Sequence, residues 1–148
     1  MGYIKSGKDD GATVYSGGER DGNSGFYVQP TIFTNVKPNM KIVLEEIFGP
    51  VAVVIKFKTE EEAIELANDT EFGLASCVYT KDVSRALRIV SLLDSGGVWI
   101  NSPAATNVHV PFGGIKLSGQ GQELGEEALA GYAVRAFLLT AELTHFLA

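Results

Sequence analysis

Two adjacent carboxylates and an aromatic ring stand just before a strong break in the chain. Glu45 and Glu46 precede Phe48, and Gly49-Pro50 then excludes a continuing helix. The apolar run 51–57 that follows is typical of a buried strand. A carboxylate at the mouth of such a strand can accept hydrogen bonds from sugar hydroxyls, and the ring can lie against a flat heterocycle. The alternative is two solvated loop carboxylates beside a core phenylalanine.

The polar, proline-containing loop at residues 102–109 is the second candidate site, because it differs from the regular segments around it. It ends at His109, whose imidazole has an ordinary pKa near neutrality and can therefore exchange protons under physiological conditions. The alternative for His109 is an exposed histidine without a role, since histidine is common on exposed loops.

Other residue types with possible chemistry predict structure rather than catalysis. Cys77, the single cysteine, lies in the apolar segment 74–79, so we expect an inert core thiol. Together with His109 and His145 it lacks metal-ligand spacing, and no metal site is expected. The glycines of 113–125 lack the Lys-Ser/Thr ending of a P-loop, which indicates tight backbone packing before a helix. The sequence supplies no residue that we assign as catalytic.

Alternating strands and helices must position these residues. The pattern predicts, in order, a strand at 51–57, a helix begun by the capping box Thr59-x-x-Glu62, a strand at 74–79, a helix capped by Asp82 and ended by Gly96-Gly97, and a strand at 97–100. This order predicts an α/β fold with a parallel βαβαβ core whose strands are buried on both faces.

Shorter elements flank this core. The first 25 residues are rich in turn formers, with a short strand at 12–15. A second extended segment covers 26–33, and its Pro30 favours a sheet edge. A helix near 123–132 and a strand near 135–140 complete the expected chain.

Composition sets broad limits on the function. The 148 residues, 45% of them hydrophobic and 20% charged, fit one folded domain over residues 1–148. A net charge of −6 disfavours a nucleic-acid partner. No apolar run reaches a membrane span, the first residues do not resemble a signal peptide, and one cysteine is compatible with a cytoplasmic location.

Several motifs follow one another in an order that resembles the C-terminal part of the catalytic domain of aldehyde dehydrogenases. The likeness extends from about Tyr3 to about Thr140. Its motifs are Glu45-Glu46-Ile47-Phe48-Gly49-Pro50, Asn68, Phe72-Gly73-Leu74, Val98-Trp99-Ile100-Asn101, Pro111-Phe112-Gly113-Gly114 and Ser118-Gly119-x-Gly121-x-Glu123.

The resemblance implies roles for four residues. The family's counterpart of Glu46 hydrogen-bonds the nicotinamide ribose of NAD or NADP, and the counterpart of Phe48 contacts that end of the cofactor. The matching loop, which carries His109, lines the substrate tunnel, and the counterpart of Phe112 faces it. Gln122 departs from the family, where an arginine is common, so a structural ion pair is expected to be absent.

The resemblance also implies that this region does not contain the family's nucleophilic cysteine, general base or dinucleotide-binding domain. Three interpretations remain open. In the first, the chain is one piece of an aldehyde dehydrogenase, produced as a fragment or complementing a separate N-terminal chain. In the second, it is a truncated descendant that now performs a non-redox step such as a cyclisation or isomerisation. In the third, it is an interaction module that pairs through apolar strand edges such as 136–139. Homo-oligomerisation is expected, because a small α/β unit leaves apolar surface uncovered.

Overall fold

A computed structural model of the protein describes residues 1–102 and 105–133. The chain divides into two units, Met1–Leu66 and Ala67–Ala148. The prediction of a single domain over residues 1–148 therefore stays a prediction. No helix within the described ranges is long and apolar enough to cross a membrane.

The first unit contains a three-stranded sheet of β1 (Thr13–Ser16), β2 (Thr31–Thr34) and β3 (Val51–Val53). β2 lies in the middle, antiparallel to β1 and parallel to β3. The prediction that Pro30 places this segment at a sheet edge is wrong. β2 begins one residue after Pro30, so the missing N–H of proline removes no hydrogen bond from the ladder.

Two helices, α1 (Gly2–Asp9) and α2 (Lys41–Leu44), accompany this sheet. The core of the unit consists of buried apolar side chains: Ile4, Phe33, Met40 and Ile42. The turn formers around Gly7 do not predict α1, yet the helix forms because it buries Ile4. Gly7 is needed there, since a Cβ on it would approach Ile42 Cδ1 to 2.9 Å and the Phe33 ring to 3.0 Å.

The strand predicted at 51–57 is shorter and less buried than its composition suggests. β3 ends at Val53, and the side chains of Val51 and Val53 are half-buried while Ala52 is exposed. Beyond it Val54 and Phe57 are exposed. An apolar run therefore marks a surface that the described part of the unit does not cover.

The second unit is built on a parallel pair, β5 (Ala75–Val78) and β6 (Gly97–Ile100), joined through helix α4 (Val83–Val90). This βαβ connection confirms the second half of the predicted core. A two-stranded antiparallel ladder joins β4 (Phe72–Gly73) to β7 (Ile115–Lys116). A 3-10 helix, Glu127–Gly131, lies where a longer helix was predicted.

The predicted helix caps form. At the start of α3 (Glu60–Asn68) the Thr59 hydroxyl accepts from the Glu62 backbone N–H at 3.2 Å, and the Glu62 carboxylate accepts from Lys58 N–H at 2.6 Å. Asp82 accepts from Arg85 N–H at 3.0 Å and caps α4. Gly96-Gly97 does not end α4, which stops at Val90.

The prediction of one continuous βαβαβ sheet is wrong in one respect. β3 belongs to the sheet of β1 and β2, whereas β5 and β6 form a ladder of their own. A strand, helix, strand order is compatible with either arrangement, because the sequence does not state which neighbour a strand chooses. The predicted strand at 135–140, the run 136–139 and His145 lie outside the described residues.

Candidate functional site

The two adjacent glutamates of the first unit have different environments. The Glu45 carboxylate accepts a 2.9 Å hydrogen bond from the Tyr3 hydroxyl and lies 3.6 Å from Lys41 Nζ. The hydrogen bond to Glu45 raises the pKa of Tyr3 above its ordinary 10.0. Glu46 is exposed, and no described residue engages its carboxylate, while the ring of Phe48 is 91% exposed. Glu46 is therefore free to accept hydrogen bonds from a ligand, and Phe48 offers a bare ring face.

In the second unit, Trp99 anchors the loop that follows β6. Its indole Nε1–H donates to the carbonyl oxygen of Ala105 at 2.8 Å. Its ring packs against Phe112 with centroids 6.4 Å apart and planes inclined by 54°. Tilted rings at this separation attract one another because the positive edge of one meets the negative face of the other. One side chain thus holds both ends of the segment 105–112.

Backbone hydrogen bonds tie the same loop to the segment that follows it. Phe112 and Glu123 exchange a pair of N–H···O bonds of 2.7 Å, and Gly125 N–H donates to Val108 O at 3.0 Å. Leu124, between these two contacts, has φ 62°. A residue other than glycine rarely adopts this left-handed conformation, so the contacts on either side must hold Leu124 there.

A cavity of about 280 Å³ lies between this loop and the start of β6. Apolar side chains dominate its wall, with one hydroxyl and one amide. The lining residues are Gly96, Gly97, Val98, Trp99, Ala105, Thr106, Asn107, Val110, Pro111, Phe112 and Leu124.

Of the two residues predicted for the substrate pocket, one lines this cavity and the other does not. Phe112 lines it and is half-buried. His109 is exposed and is not among the lining residues, and its backbone N–H donates to Asn107 Oδ1 at 3.0 Å. Its role in substrate binding stays a prediction.

Asn101 sets the direction in which the loop leaves β6. Its amide side chain makes two hydrogen bonds to the backbone of Thr80, accepting from N–H at 2.9 Å and donating to O at 2.8 Å. Its backbone has φ 54°, a conformation that asparagine tolerates better than most residues. The pair of bonds locks the ends of β5 and β6 together where the chain turns away.

Cys77 corrects one prediction, because it is exposed and not a core thiol. Its Sγ donates to the Ser102 carbonyl at 3.3 Å. The hydrogen bond with Cys77 also raises the pKa of Tyr79 above 10.0. Across the described residues, no group of His, Cys, Asp and Glu could hold a metal ion.

Three polar residues that are well separated in the sequence meet in the second unit. The Asn68 amide donates to Leu92 O at 2.8 Å and accepts from Asp94 N–H at 2.9 Å. Lys116 Nζ donates to Asn68 O at 3.0 Å and lies 3.8 Å from the Asp94 carboxylate. This network joins the end of α3, the segment after α4, and β7.

The comparisons with known proteins identify the family. The protein-family model of the aldehyde dehydrogenase family matches residues 1–136. The chain belongs to this family.

Individual members of the family are about half identical in sequence to this chain. It is 52% identical to an aldehyde dehydrogenase of Agaricus bisporus over 132 residues, which are 89% of this chain and 26% of that protein. It is 51% identical, over the same shares, to the aldehyde dehydrogenase, cytosolic 1, of Mus musculus. The chain therefore spans about a quarter of the length of these relatives.

Solved structures of aldehyde dehydrogenases also match the chain. A betaine aldehyde dehydrogenase of Staphylococcus aureus in complex with NAD+ matches with a TM-score of 0.93 and 42% identity, over 99% of this chain and 30% of that chain. The NAD+ complex of an aldehyde dehydrogenase of Bacillus cereus matches with a TM-score of 0.86 and 49% identity, over 88% of this chain and 27% of that chain.

Sequence reasoning missed Trp99 and Asn101 as the residues that hold the loop. A signal was present in each case. Trp99 is the only tryptophan of the chain, and Asn101 is a polar residue directly after an apolar strand. Their partners, Ala105 and Thr80, have no distinguishing chemistry, because only their backbone atoms take part.

Proposed function

We propose that this chain is the C-terminal part of the catalytic domain of an NAD(P)-dependent aldehyde dehydrogenase, in which it forms one wall of the substrate pocket and contacts the nicotinamide end of the cofactor. The observation that carries this proposal is the match to an enzyme in complex with NAD+ over 99% of this chain and 30% of that one. At 42% identity and a TM-score of 0.93, the likeness reaches well beyond a shared fold class.

The cofactor contact rests on Glu46 and Phe48. An exposed carboxylate that no described residue engages suits the two hydroxyls of a ribose, since an ionised carboxylate only accepts hydrogen bonds. The exposed ring of Phe48 suits the flat face of a nicotinamide. NAD or NADP, when bound, supplies the acceptor for the hydride of the aldehyde, and Glu46 orients it.

The substrate contact rests on the loop 105–112. Phe112 presents its ring to the cavity, and His109 lies at the surface of the same loop. In this proposal the chain orients the aldehyde and excludes water, and the attacking thiolate comes from elsewhere.

The isolated chain does not oxidise aldehydes, and a partner completes it. The family's nucleophile lies in a region that precedes the motifs found here. Large apolar side chains are exposed in both units, which is typical of surfaces that another polypeptide covers: Phe57 60%, Val83 71% and Leu87 62% exposed. The partner is a complementing N-terminal chain or a second copy of this one, in the cytoplasm.

The test is NAD(P)H formation, followed by absorbance, with the purified chain and a set of aldehydes. We expect none from the chain alone. Co-expression with the N-terminal part of a related aldehyde dehydrogenase should produce a complex that forms NAD(P)H. Turnover by the isolated chain, or failure of the two parts to associate, would refute the proposal.

Glu45 and Glu46 offer a matched pair for the cofactor contact within that complex. Glu46→Gln should raise the KM for NAD(P) about tenfold or more, because a hydrogen bond to a charged group becomes a neutral one. Glu45→Gln changes the same group one residue away and should leave that KM unaltered, since Glu45 is engaged by Tyr3 and Lys41. Equal effects of the two substitutions would remove Glu46 from the cofactor site.

A second candidate is a non-redox protein that acts on a small molecule. The cavity of the second unit favours it, because residues of this chain alone form that cavity. His109, on the loop beside that cavity, would then serve as acid or base in a cyclisation or isomerisation. Glu46, in the first unit, is the other candidate for that role. Turnover without NAD(P), lost on substitution of either residue, would establish this candidate, and turnover that survives both substitutions would exclude it.

A further inference from the structure

We propose that the peptide bond between Asp21 and Gly22 is a site of spontaneous modification, at which aspartate converts into isoaspartate through a cyclic imide. The site opens an exposed loop of the first unit, residues 21–27. The same dipeptide occurs once more in the chain, as Asp10-Gly11 directly after α1, and there the fold protects it. The inference does not depend on the proposed function.

The reaction needs no enzyme and no cofactor. The backbone nitrogen of Gly22 attacks the protonated side-chain carboxyl of Asp21, a C–N bond forms, and the carboxyl OH leaves with the amide proton as water. Water then adds to the backbone carbonyl carbon of the five-membered imide, and the original peptide bond breaks. The chain now continues through the Asp21 side chain and carries a free α-carboxylate. One water leaves and one enters, so mass and charge are unchanged.

At Asp21 neither reacting group is held. Among the hydrogen bonds and ion pairs of the described residues, none involves the Asp21 carboxylate or the Gly22 N–H. Both residues are exposed. A Cβ built on Gly22 would meet nothing within 4 Å, so open space surrounds this part of the backbone. Glycine also lacks a side chain of its own that would shield its nitrogen.

The ends of the loop 21–27 are anchored, whereas its centre is not. Asp21 N–H donates to Tyr27 O at 3.0 Å, and the Arg20 guanidinium donates to Gly25 O. Between these anchors, residues 22–24 make no hydrogen bond to any other described residue. The peptide after Asp21 can therefore turn toward its side chain without breaking a hydrogen bond.

Asp10-Gly11 is an internal reference, because both of its reacting groups are held. Ser6 Oγ donates to the Asp10 carboxylate at 3.4 Å, and Gly11 N–H donates to Lys8 O at 3.1 Å. Asp10 has ψ −5°, so its own backbone nitrogen eclipses the nitrogen of Gly11 and its Cβ lies far from that position. The imide ring contains this Cβ and this nitrogen, so its closure requires a large rotation about ψ and loss of the Gly11 hydrogen bond.

The expected difference in rate follows from this local opening. A site that reacts only when it is open is slowed by the equilibrium constant of opening. The net contribution of one hydrogen bond corresponds to a factor of about five. We therefore expect Asp21 to isomerise at least about fivefold faster than Asp10 in the folded chain. In urea, where α1 unfolds, the two rates should converge, because the reacting groups are the same.

Incubation in heavy-oxygen water at mildly acidic pH tests the inference on the 148-residue chain. Parallel samples with and without urea are digested with trypsin, which cuts after Arg20 and so separates the two sites. Each hydrolysed imide retains one heavy oxygen, and electron-based fragmentation distinguishes isoaspartate from aspartate. It also separates a label on Asp21 from one on Asn23. We expect label at Asp21 in the folded chain and at both sites in urea.

Asp21→Glu and Asp10→Glu are a matched pair of variants. Glutamate keeps the charge but would have to form a six-membered imide, which closes much more slowly. Asp21→Glu should remove most of the isoaspartate that forms in the folded chain, whereas Asp10→Glu should leave it at the parent level. The Tm of Asp21→Glu should equal that of the parent chain, because no described residue engages the Asp21 carboxylate.

Equal labelling of Asp21 and Asp10 in the folded chain, or no isoaspartate at Asp21, would overturn the inference. An unchanged preference for Asp21 in urea would also overturn it, since the preference would then come from the neighbouring residues and not from the fold. These results are independent of complementation by an N-terminal chain, so a failed complementation would refute the proposed function alone.

Discussion

A methyl group on Gly96 should displace the segment that carries Phe112. Gly96 lies directly before β6, and a Cβ built on it would lie 1.8 Å from the carbonyl oxygen of Gly113 and 2.9 Å from its carbon. No side chain can move aside to relieve this contact, because the opposing atoms are backbone. The two segments would have to separate by more than about 1 Å to reach an ordinary van der Waals distance.

Forced repacking of this kind costs about 1–3 kcal/mol of unfolding free energy, with the upper end expected where only backbone can move. In a unit of 60–100 residues this corresponds to a fall in Tm of about 5–20 °C. We therefore expect Gly96→Ala to lower the Tm, measured by circular dichroism, because the two backbone segments must separate.

Gly131→Ala is the matched control, since a Cβ on Gly131 meets nothing within 4 Å. It should leave the Tm unchanged or raise it slightly through the reduced entropy of the unfolded chain. If Gly96→Ala matched the parent chain in Tm, the close approach of Gly96 and Gly113 would be wrong, and with it the position of Phe112.

Three further outcomes are expected. Phe33→Ala should destabilise the first unit by about 3–5 kcal/mol in urea denaturation, because the ring is fully buried, whereas Phe26→Ala should have almost no effect; equal midpoints would contradict the assigned core. The hydrogen bond from Arg85 N–H lowers the pKa of Asp82 in the folded chain below its ordinary 3.8. The cap therefore stabilises the fold fully above pH 3.8, and this stabilisation is lost as the pH falls through the lower pKa of the folded state. Asp82→Asn keeps a cap that does not titrate, so it should remove this acid dependence of stability, as followed by circular dichroism. Cys77 should react with Ellman's reagent in the native chain as fast as in urea, and protection until unfolding would restore the core-thiol interpretation.

Local chemistry explains which elements could be predicted. Thr59, Glu62 and Asp82 act within a few residues of themselves, so the starts of α3 and α4 follow from the sequence. β5 and β6 were likewise predicted from short apolar runs bounded by turn formers. Helix α1 was missed because its stability comes from burial of Ile4 against distant residues, which outweighs the poor helix propensity of its glycines.

The candidate site was predicted only in part for the same reason. Phe112 was found through the motif that contains it, and it does line a cavity. Trp99 was not assigned a role, because its partner is a backbone carbonyl that looks identical in every residue. The exposure of Cys77 could not be foreseen either, since an apolar segment does not reveal whether another part of the chain covers it.

The sequence by itself determined the family, the order of strands and helices in the second unit, and the helix caps, because each of these depends on residue types at short separations. Only the tertiary structure decided which strands pair, that the Glu46 carboxylate stays unengaged while Glu45 is held, and that Trp99 and Asn101 hold the loop under which the cavity lies. Those properties arise from contacts between backbone and side-chain atoms far apart in the chain, and such contacts leave no pattern in the order of residues.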